Sequence, residues 1–151
     1  MNGKRLLAHV DSCQRDCYCD ERSRFSVDQN NRNYFLTNNE KRKVCKIQVD
    51  GCFSQKNGMR CDYLFFAHDL QLAYLVELKG SDVLYGVKQI ATFFDEIKND
   101  LAGCHLHARI VSGRCNIPDI RSTDYRKLER RMMETGGSLR CKTKQDSDDI
   151  P

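Results

Sequence analysis

The chain has 151 residues, a length typical of one domain with a single modest core. A hydrophobic fraction of 40% and a charged fraction of 30% exclude a disordered chain, and no apolar run approaches the roughly 20 residues that a membrane-spanning helix needs. The formal net charge of +4 is compatible with a nucleic-acid partner but does not require one.

Cysteine usage and the first residues bear on the compartment. Nine cysteines are a high count, but the number is odd. The opening residues, MNGKRLLAHVDSCQRD, contain only a short apolar patch and lack the apolar stretch of a secretory signal. We therefore expect reduced thiols in a cytoplasmic protein without membrane association.

The first predicted elements are three strands. Residues 1–40 show no sustained hydrophobic period and predict mostly irregular structure. Apolar and polar residues then alternate over 45–50, as in a half-buried strand. Further strands are predicted over 60–67 and 73–79, and the short connections favour antiparallel neighbours.

An amphipathic helix is predicted after the third strand. Ser81 or Asp82 offers an N-cap, and Gly103 closes the element. The apolar positions recur at spacings of 4, 3, 4, 3 and 4, which places them on one helix face. They are Val83, Val87, Ile90, Phe94, Ile97 and Leu101.

The remaining elements complete an α/β pattern. A fourth strand is predicted over 105–111, a charged helix over 123–135, an edge strand over 138–143 and a loose tail over 144–151. In the charged helix, the residues expected to face inward are Tyr125, Leu128 and Met132. This order predicts a single α/β domain with a central mixed β-sheet flanked by helices and a core at about 44–143.

An acid and an amine share one face of the third strand. Strand periodicity places Glu77 and Lys79 on the same side, while Val76 and Leu78 point to the other. Asp62, in the preceding strand, is expected to lie opposite them across the hairpin. Two converging carboxylates repel each other, and a divalent cation removes that repulsion. Mg²⁺ suits this arrangement because it binds to one or two carboxylates and keeps waters and phosphate oxygens as other ligands.

A simpler interpretation is an exposed strand face with an incidental Glu–Lys ion pair. Three observations favour a site instead: the strand is otherwise apolar, an aspartate stands in the preceding strand, and a helix begins directly after Lys79 and Gly80. We therefore predict that Asp62, Glu77 and Lys79 form an active centre.

These residues carry a family resemblance. The pattern resembles the D-x(n)-E-x-K signature of the PD-(D/E)xK nuclease superfamily, with Asp62 followed after fourteen residues by Glu77-Leu78-Lys79. The resemblance covers about residues 44–112. The resemblance implies a restriction-endonuclease-like core. It also implies that Asp62, Glu77 and the main-chain carbonyl of Leu78 bind Mg²⁺ or Mn²⁺, while Lys79 orients or activates the attacking water.

A second, partial match lies on the predicted helix. Gln89, followed four residues later by Phe93, resembles the Q-x-x-x-Y of RecB-like nucleases, although phenylalanine lacks the hydroxyl. Both residues are expected to flank the apolar stripe, so that Gln89 reaches the active face as a fourth catalytic candidate. Cys61 stands where a proline gives the superfamily its name.

Other motifs give weaker indications. Cys13, Cys17 and Cys19 are close enough to supply most of a zinc site, but their spacing is not that of a usual zinc knuckle, and free surface thiols are the alternative. Cys45 and Cys61 are expected to be small buried hydrophobes. The clusters of basic residues, at 41–43, 126–131 and 140–144, are most simply solvated faces. His105 and His107 are either a ligand pair or a hydrogen-bonded surface pair.

The expected function is hydrolysis of DNA phosphodiester bonds, with Mg²⁺ or Mn²⁺ as cofactor. No base-reading motif is recognised, so specificity is expected from substrate structure or a partner, and double-strand cleavage would require a homodimer or a larger complex. Three alternatives stay open: a catalytically silent nucleic-acid-binding or assembly subunit, a small zinc-thiolate module, and a nuclease acting on RNA.

Overall fold

Among the residues that the structure describes, strands predominate in the first half of the chain, and α-helices alternate with strands only after the sixth strand. The computed structural model describes residues 17–49, 60–80 and 82–151. The strands in this part are β1 (Tyr18–Asp20), β2 (Arg24–Gln29), β3 (Arg32–Thr37), β4 (Val44–Gln48), β5 (Tyr63–Ala67), β6 (Leu72–Lys79), β7 (His105–Ser112), β8 (Ser138–Thr143) and β9 (Gln145–Asp149). The α-helices are α1 (Val83–Ile97), α2 (Ile117–Ile120) and α3 (Thr123–Glu134), and a 3-10 turn spans His68–Leu70.

The described strands form two sheets. The central sheet has the order β1-β4-β5-β6-β7-β8. Its first four strands are antiparallel neighbours, whereas β6, β7 and β8 run parallel, so the predicted mixed sheet is confirmed. The second sheet has the order β2-β3-β9, with β3 and β9 parallel. Among the described residues, no helix is long and apolar enough to cross a membrane.

The predicted amphipathic helix is confirmed as α1, but it ends at Ile97 rather than at Gly103, and Leu101 lies in the turns that follow. Asp82 is the N-cap of α1, and its Oδ1 accepts a hydrogen bond of 2.9 Å from the amide of Tyr85. Every residue of the predicted apolar stripe is at least 92% buried. The charged helix is also confirmed as α3, and its predicted inward-facing residues, Tyr125, Leu128 and Met132, are buried.

The central sheet is covered on both faces, and alternate residues of its strands enter two separate cores. The helices α1 and α3 cover one face, where the sheet contributes Ile47, Leu64, Phe66, Ala73, Leu75, Leu106, Ala108, Ile110 and Leu139. The second sheet covers the other face, against Val44, Phe65, Ala67, Leu72, Tyr74, Val76, Leu78 and Val111.

Two regions predicted to lack structure are ordered, and those predictions are wrong for the described residues. Within 1–40 the chain forms β1, β2 and β3, and β2 and β3 form a hairpin around Asn30 and Asn31, whose φ angles are 51° and 64°. Alternating apolar residues in both strands were a usable signal, because Asn tolerates the left-handed backbone of tight hairpin turns. Within 144–151, β9 pairs with β3, and Ile150 is only 5% exposed.

A buried polar network explains why the tail is ordered. The Arg109 guanidinium, 2% exposed, donates to Asp148 Oδ2 over 2.7 Å, and the Tyr34 hydroxyl donates to the same oxygen over 2.8 Å. Arg140 forms an ion pair of 2.8 Å with Asp146. Burial acts to raise the pKa of Asp148, but its hydrogen-bonded and charged neighbours, Arg109 first among them, outweigh burial and lower the pKa. Thus β9 is held by its acidic side chains, which a hydrophobic pattern does not reveal.

Four of the cysteines are oxidised in pairs. One disulfide joins Cys19 to Cys45 and another joins Cys115 to Cys141. The expectation of reduced thiols is therefore wrong for these four, and Cys45 is buried as half of a disulfide. Each pair is separated by 26 residues. Strand pairing places Cys19 opposite Cys45, whereas Cys115, in the loop after β7, reaches Cys141 of β8, so the sequence spacing predicted neither link. Cys61 is fully buried, as predicted.

Close packing at the start of β8 predicts a large stability effect at Gly137. A Cβ added there would lie 1.7 Å from the main-chain oxygen of Leu106. We expect Gly137→Ala to destabilise the fold by about 3 kcal/mol or more, at the upper end for overpacked sites, because backbone cannot move aside cheaply. Urea unfolding measures this, with Gly80→Ala as a control, since a Cβ there would meet nothing within 4 Å. Equal unfolding midpoints for the two variants would contradict the prediction.

Candidate active site

The β5–β6 hairpin sets Asp62 opposite Glu77. Tyr63 pairs with Val76, so the next residues outward, Asp62 and Glu77, face each other. The main-chain oxygen of Asp62 accepts a hydrogen bond of 2.9 Å from Val49, so the peptide groups of Asp62 point to β4 rather than to β6. Asp62 and Glu77 therefore form a non-hydrogen-bonded pair, the arrangement with the shorter Cα separation, about 4.5 Å, and the closer side chains.

Glu77 brings a carboxylate into the interior. It follows Leu75 at the strand period of two, so it lies on the helix-covered face, and it is only 1% exposed. Burial of a carboxylate costs free energy that the fold must offset. A buried acid at the end of an otherwise apolar strand is therefore a candidate functional group, and the incidental exposed ion pair does not describe it.

Asp62 binds to the main chain next to Glu77. Its Oδ2 accepts a hydrogen bond of 2.9 Å from the amide of Leu78. In a strand the N–H and C=O of one residue point to the same edge, so the carbonyl of Leu78 is also directed towards the Asp62 side. Two carboxylates and one main-chain carbonyl, the donor set implied by the resemblance, thus converge at one end of the hairpin.

The thiol of Cys61, the residue directly before Asp62, is buried beside these acids. It is fully buried, and burial first, followed by the negative charges of Glu77 and Asp62, raises its pKa well above the usual value. Cys61 is therefore a neutral neighbour of the two acids at physiological pH.

Helix α1 holds the segment that leads into Asp62. The Gln89 side-chain amide donates to the carbonyl of Arg60 over 3.1 Å, and Arg60 Nε lies 3.3 Å from Glu96 Oε2. Gln89 is half-buried, and the carbonyl that it binds lies two residues before Asp62. The expectation that Phe93 flanks the apolar stripe is wrong, because Phe93 is fully buried in the core beneath the helix. A catalytic role for Gln89 stays a prediction.

The end of β6 is attached to β7. The carbonyl of Gly80 accepts from the amide of Gly113 over 2.6 Å and from Ser112 Oγ over 3.0 Å. The backbone of Lys79, the last residue of β6, pairs in register with Ser112, while its side chain lies outside the described part. Sequence reasoning missed Ser112, although a polar residue at the end of a buried apolar strand was a usable signal.

The donor set fits a hard divalent ion. Asp62, Glu77 and the Leu78 carbonyl offer only oxygen, and Mg²⁺ completes such a site with waters and substrate oxygens. Across the described residues, no three or more His, Cys, Asp or Glu side chains cluster as a complete protein-made metal cage. The residues present therefore match Mg²⁺ or Mn²⁺ better than a tetrahedral zinc centre.

The other candidate ligands do not join this site. Cys19 is in a disulfide, which contradicts both the zinc interpretation and the free-thiol interpretation for that residue, and Cys13 lies outside the described residues. His107 Nδ1 lies 2.9 Å from Ser138 Oγ, and its ring stacks on Tyr74, on the sheet face opposite to Glu77. Burial and the charge of Arg109 lower the pKa of His107.

Comparisons with known proteins do not identify a relative of this chain. No model of a protein family, no curated protein and no solved structure matches the chain. Membership of the PD-(D/E)xK superfamily therefore stays a prediction, supported by the residue pattern and by the geometry around Asp62 and Glu77.

Proposed function

We propose that this protein is a divalent-metal-dependent nuclease of the PD-(D/E)xK type that hydrolyses DNA phosphodiester bonds. The observation that carries the proposal is the non-hydrogen-bonded pair of Asp62 and Glu77, with Asp62 bound to the amide of Leu78. It concentrates negative charge and a main-chain oxygen at the end of a buried strand. This arrangement has a clear chemical use when a cation binds there.

Each residue has a defined task in this reaction. Asp62, Glu77 and the Leu78 carbonyl would hold the ion, and Lys79 would orient or activate the attacking water. When bound, a divalent ion polarises the phosphate and makes a coordinated water more acidic. Gln89 positions the site, because its amide binds the main chain two residues before Asp62.

The order of elements supports a restriction-endonuclease-like core. An antiparallel hairpin, β5–β6, carries the acids, α1 follows directly, and β7 returns parallel to β6. A central mixed sheet with helices on one face accompanies it. The proposal treats residues 1–151 as one nuclease domain. Because one site cuts one strand, double-strand cleavage requires a homodimer or a larger assembly.

A substrate panel tests the proposal. Labelled linear, circular and single-stranded DNA, together with RNA, are incubated with the purified protein in Mg²⁺, Mn²⁺ or EDTA. We expect cleavage of DNA in Mg²⁺ or Mn²⁺ and none in EDTA. Binding without cleavage under every condition would instead identify a catalytically silent binder, and cleavage of RNA alone would identify a ribonuclease.

A further inference from the structure

Four basic residues from three segments meet at the carboxyl ends of β7 and β8. Arg32 is the first residue of β3, Arg114 follows β7, and Lys142 and Lys144 lie at the end of β8 and just beyond it. These four residues are called the basic corner below. Only the tertiary structure brings the three segments together, because they are far apart in the sequence.

Short contacts hold the three segments against one another. The amide of Lys144 donates to the carbonyl of Ser112 over 2.9 Å, and the amide of Asn33 donates to the carbonyl of Lys144 over 3.0 Å. The Arg32 guanidinium fits over Gly113, where an added Cβ would lie 2.7 Å from its Nη2. The corner is therefore a built surface rather than a group of independent loop ends.

A disulfide joins the two main-chain segments that carry Arg114 and Lys142. Arg114 and Lys142 are the chain neighbours of Cys115 and Cys141, which are joined. The link attaches the loop after β7 to the edge strand β8. A main chain that is held in place before binding loses less conformational entropy when the surface binds a partner.

The charges of the corner are available to a partner. Arg114, Lys142 and Lys144 are exposed, and within the described part of the chain none of the three forms an ion pair with a carboxylate. Neighbouring arginines differ in this respect, since Arg109 and Arg140 are paired with the aspartates of β9. The corner thus presents unneutralised positive charge, which suits a polyanion.

The corner adjoins the candidate active site. Gly113 lies between Arg32 and Gly80, the residue after Lys79. A Cβ added to Gly113 would be 2.7 Å from Arg32 Nη2 and 2.9 Å from the main-chain oxygen of Gly80. In register, Lys79 pairs with Ser112, which pairs with Thr143. At about 4.8 Å between strands, the corner begins roughly 10 Å from the end of β6. A DNA strand with one phosphate per about 3.4 Å of helix axis covers this distance in a few nucleotides.

We propose that the basic corner binds the phosphate backbone of DNA and places the adjoining phosphodiester at Asp62 and Glu77. This inference rests on the proposed nuclease function for its substrate, but it makes a separate claim about binding. Lysine and arginine contacts to phosphate give affinity without base specificity, in agreement with the lack of a recognised base-reading motif.

The test compares two matched double variants. Lys142→Gln/Lys144→Gln removes two charges from the corner. Lys41→Gln/Lys43→Gln removes two exposed charges at the start of β4, which lies at the opposite end of the central sheet. The pairs have the same spacing, and each contains one lysine with a positive φ, 70° at Lys144 and 51° at Lys41. Affinity for labelled duplex DNA is measured in EDTA, at several salt concentrations.

We expect the corner variant to bind DNA on the order of tenfold more weakly near 0.1 M salt. The plot of log affinity against log salt concentration should become shallower by roughly 1.8, about 0.9 for each lost phosphate contact. The control should bind like the wild type. Equal losses in both variants, an unchanged corner variant, or a wild type that does not bind DNA would overturn the inference. If binding depends on the corner but no metal supports cleavage, the inference about the corner stands and the nuclease proposal is refuted. If the corner variant cuts DNA and binds it with wild-type affinity, the nuclease proposal stands and the inference about the corner is refuted.

Discussion

Replacing Asp62 with asparagine is expected to reduce DNA cleavage by a factor on the order of 10³ or more, because the loss of one carboxylate ligand removes several kcal/mol of metal-dependent stabilisation. The fold should survive. Asparagine keeps an oxygen that can accept the hydrogen bond of 2.9 Å from the amide of Leu78. Without metal, the variant should unfold at or above the temperature of the wild type, because the substitution also removes repulsion with Glu77.

Three measurements check this expectation. Cleavage rates in Mg²⁺, Mn²⁺ affinity and thermal unfolding in EDTA are compared with those of Asp69→Asn, which changes an exposed aspartate at the other end of the same hairpin. The control should behave as the wild type in all three. If Asp62→Asn cuts normally in Mg²⁺ and binds Mn²⁺ normally, Asp62 is not a metal ligand.

Replacing Lys79 with methionine is expected to reduce turnover by a factor on the order of 10² or more, because the nuclease mechanism assigns this amine to the attacking water or to the developing charge. DNA affinity should change only modestly. Methionine keeps the length and the apolar stem of lysine, so the end of β6 should pair with β7 as before. Single-turnover cleavage and affinity at two salt concentrations separate the two effects.

A catalytically silent binder would respond differently to the same change. Lys79 would then be one more positive charge near phosphate, and its loss would weaken binding and lower the salt slope by about 0.9. Lys43→Met is the control, because Lys43 is exposed at the opposite end of the central sheet. A Lys79→Met variant that binds and cuts like the wild type would show that the E-x-K pattern is a coincidence of strand periodicity.

Much of the central layer could be predicted from the hydrophobic period. Strong alternation or a continuous apolar stripe identified β4 to β8, α1 and α3, since those elements bury one face or both in a core. The second sheet was missed for two reasons. The polar, Asn-rich surroundings of β2 and β3 obscured their alternation, and β9, with the sequence QDSDD, contains no apolar residue at all.

The proximity of Asp62 to Glu77 was predictable from the sequence, but their exact contacts were not. A strand period of two places Glu77 and Lys79 on one face, and a hairpin brings Asp62 near them. Only the register decided that Asp62 and Glu77 are a non-hydrogen-bonded pair and that the Asp62 carboxylate binds the amide of Leu78. Strand register depends on packing over both faces of the sheet, so it is a property of the whole fold.

The sequence by itself determined the order of the main elements and the shared strand face of Glu77 and Lys79, because both follow from local periodicity, and the order of elements in turn predicted the mixed sheet. The tertiary structure alone decided the Cys19–Cys45 and Cys115–Cys141 links, the ordered β9 and the assembly of the basic corner. Each of these joins residues from distant segments. Their proximity depends on strand pairing and on buried ion pairs, which have no period that can be seen along the chain.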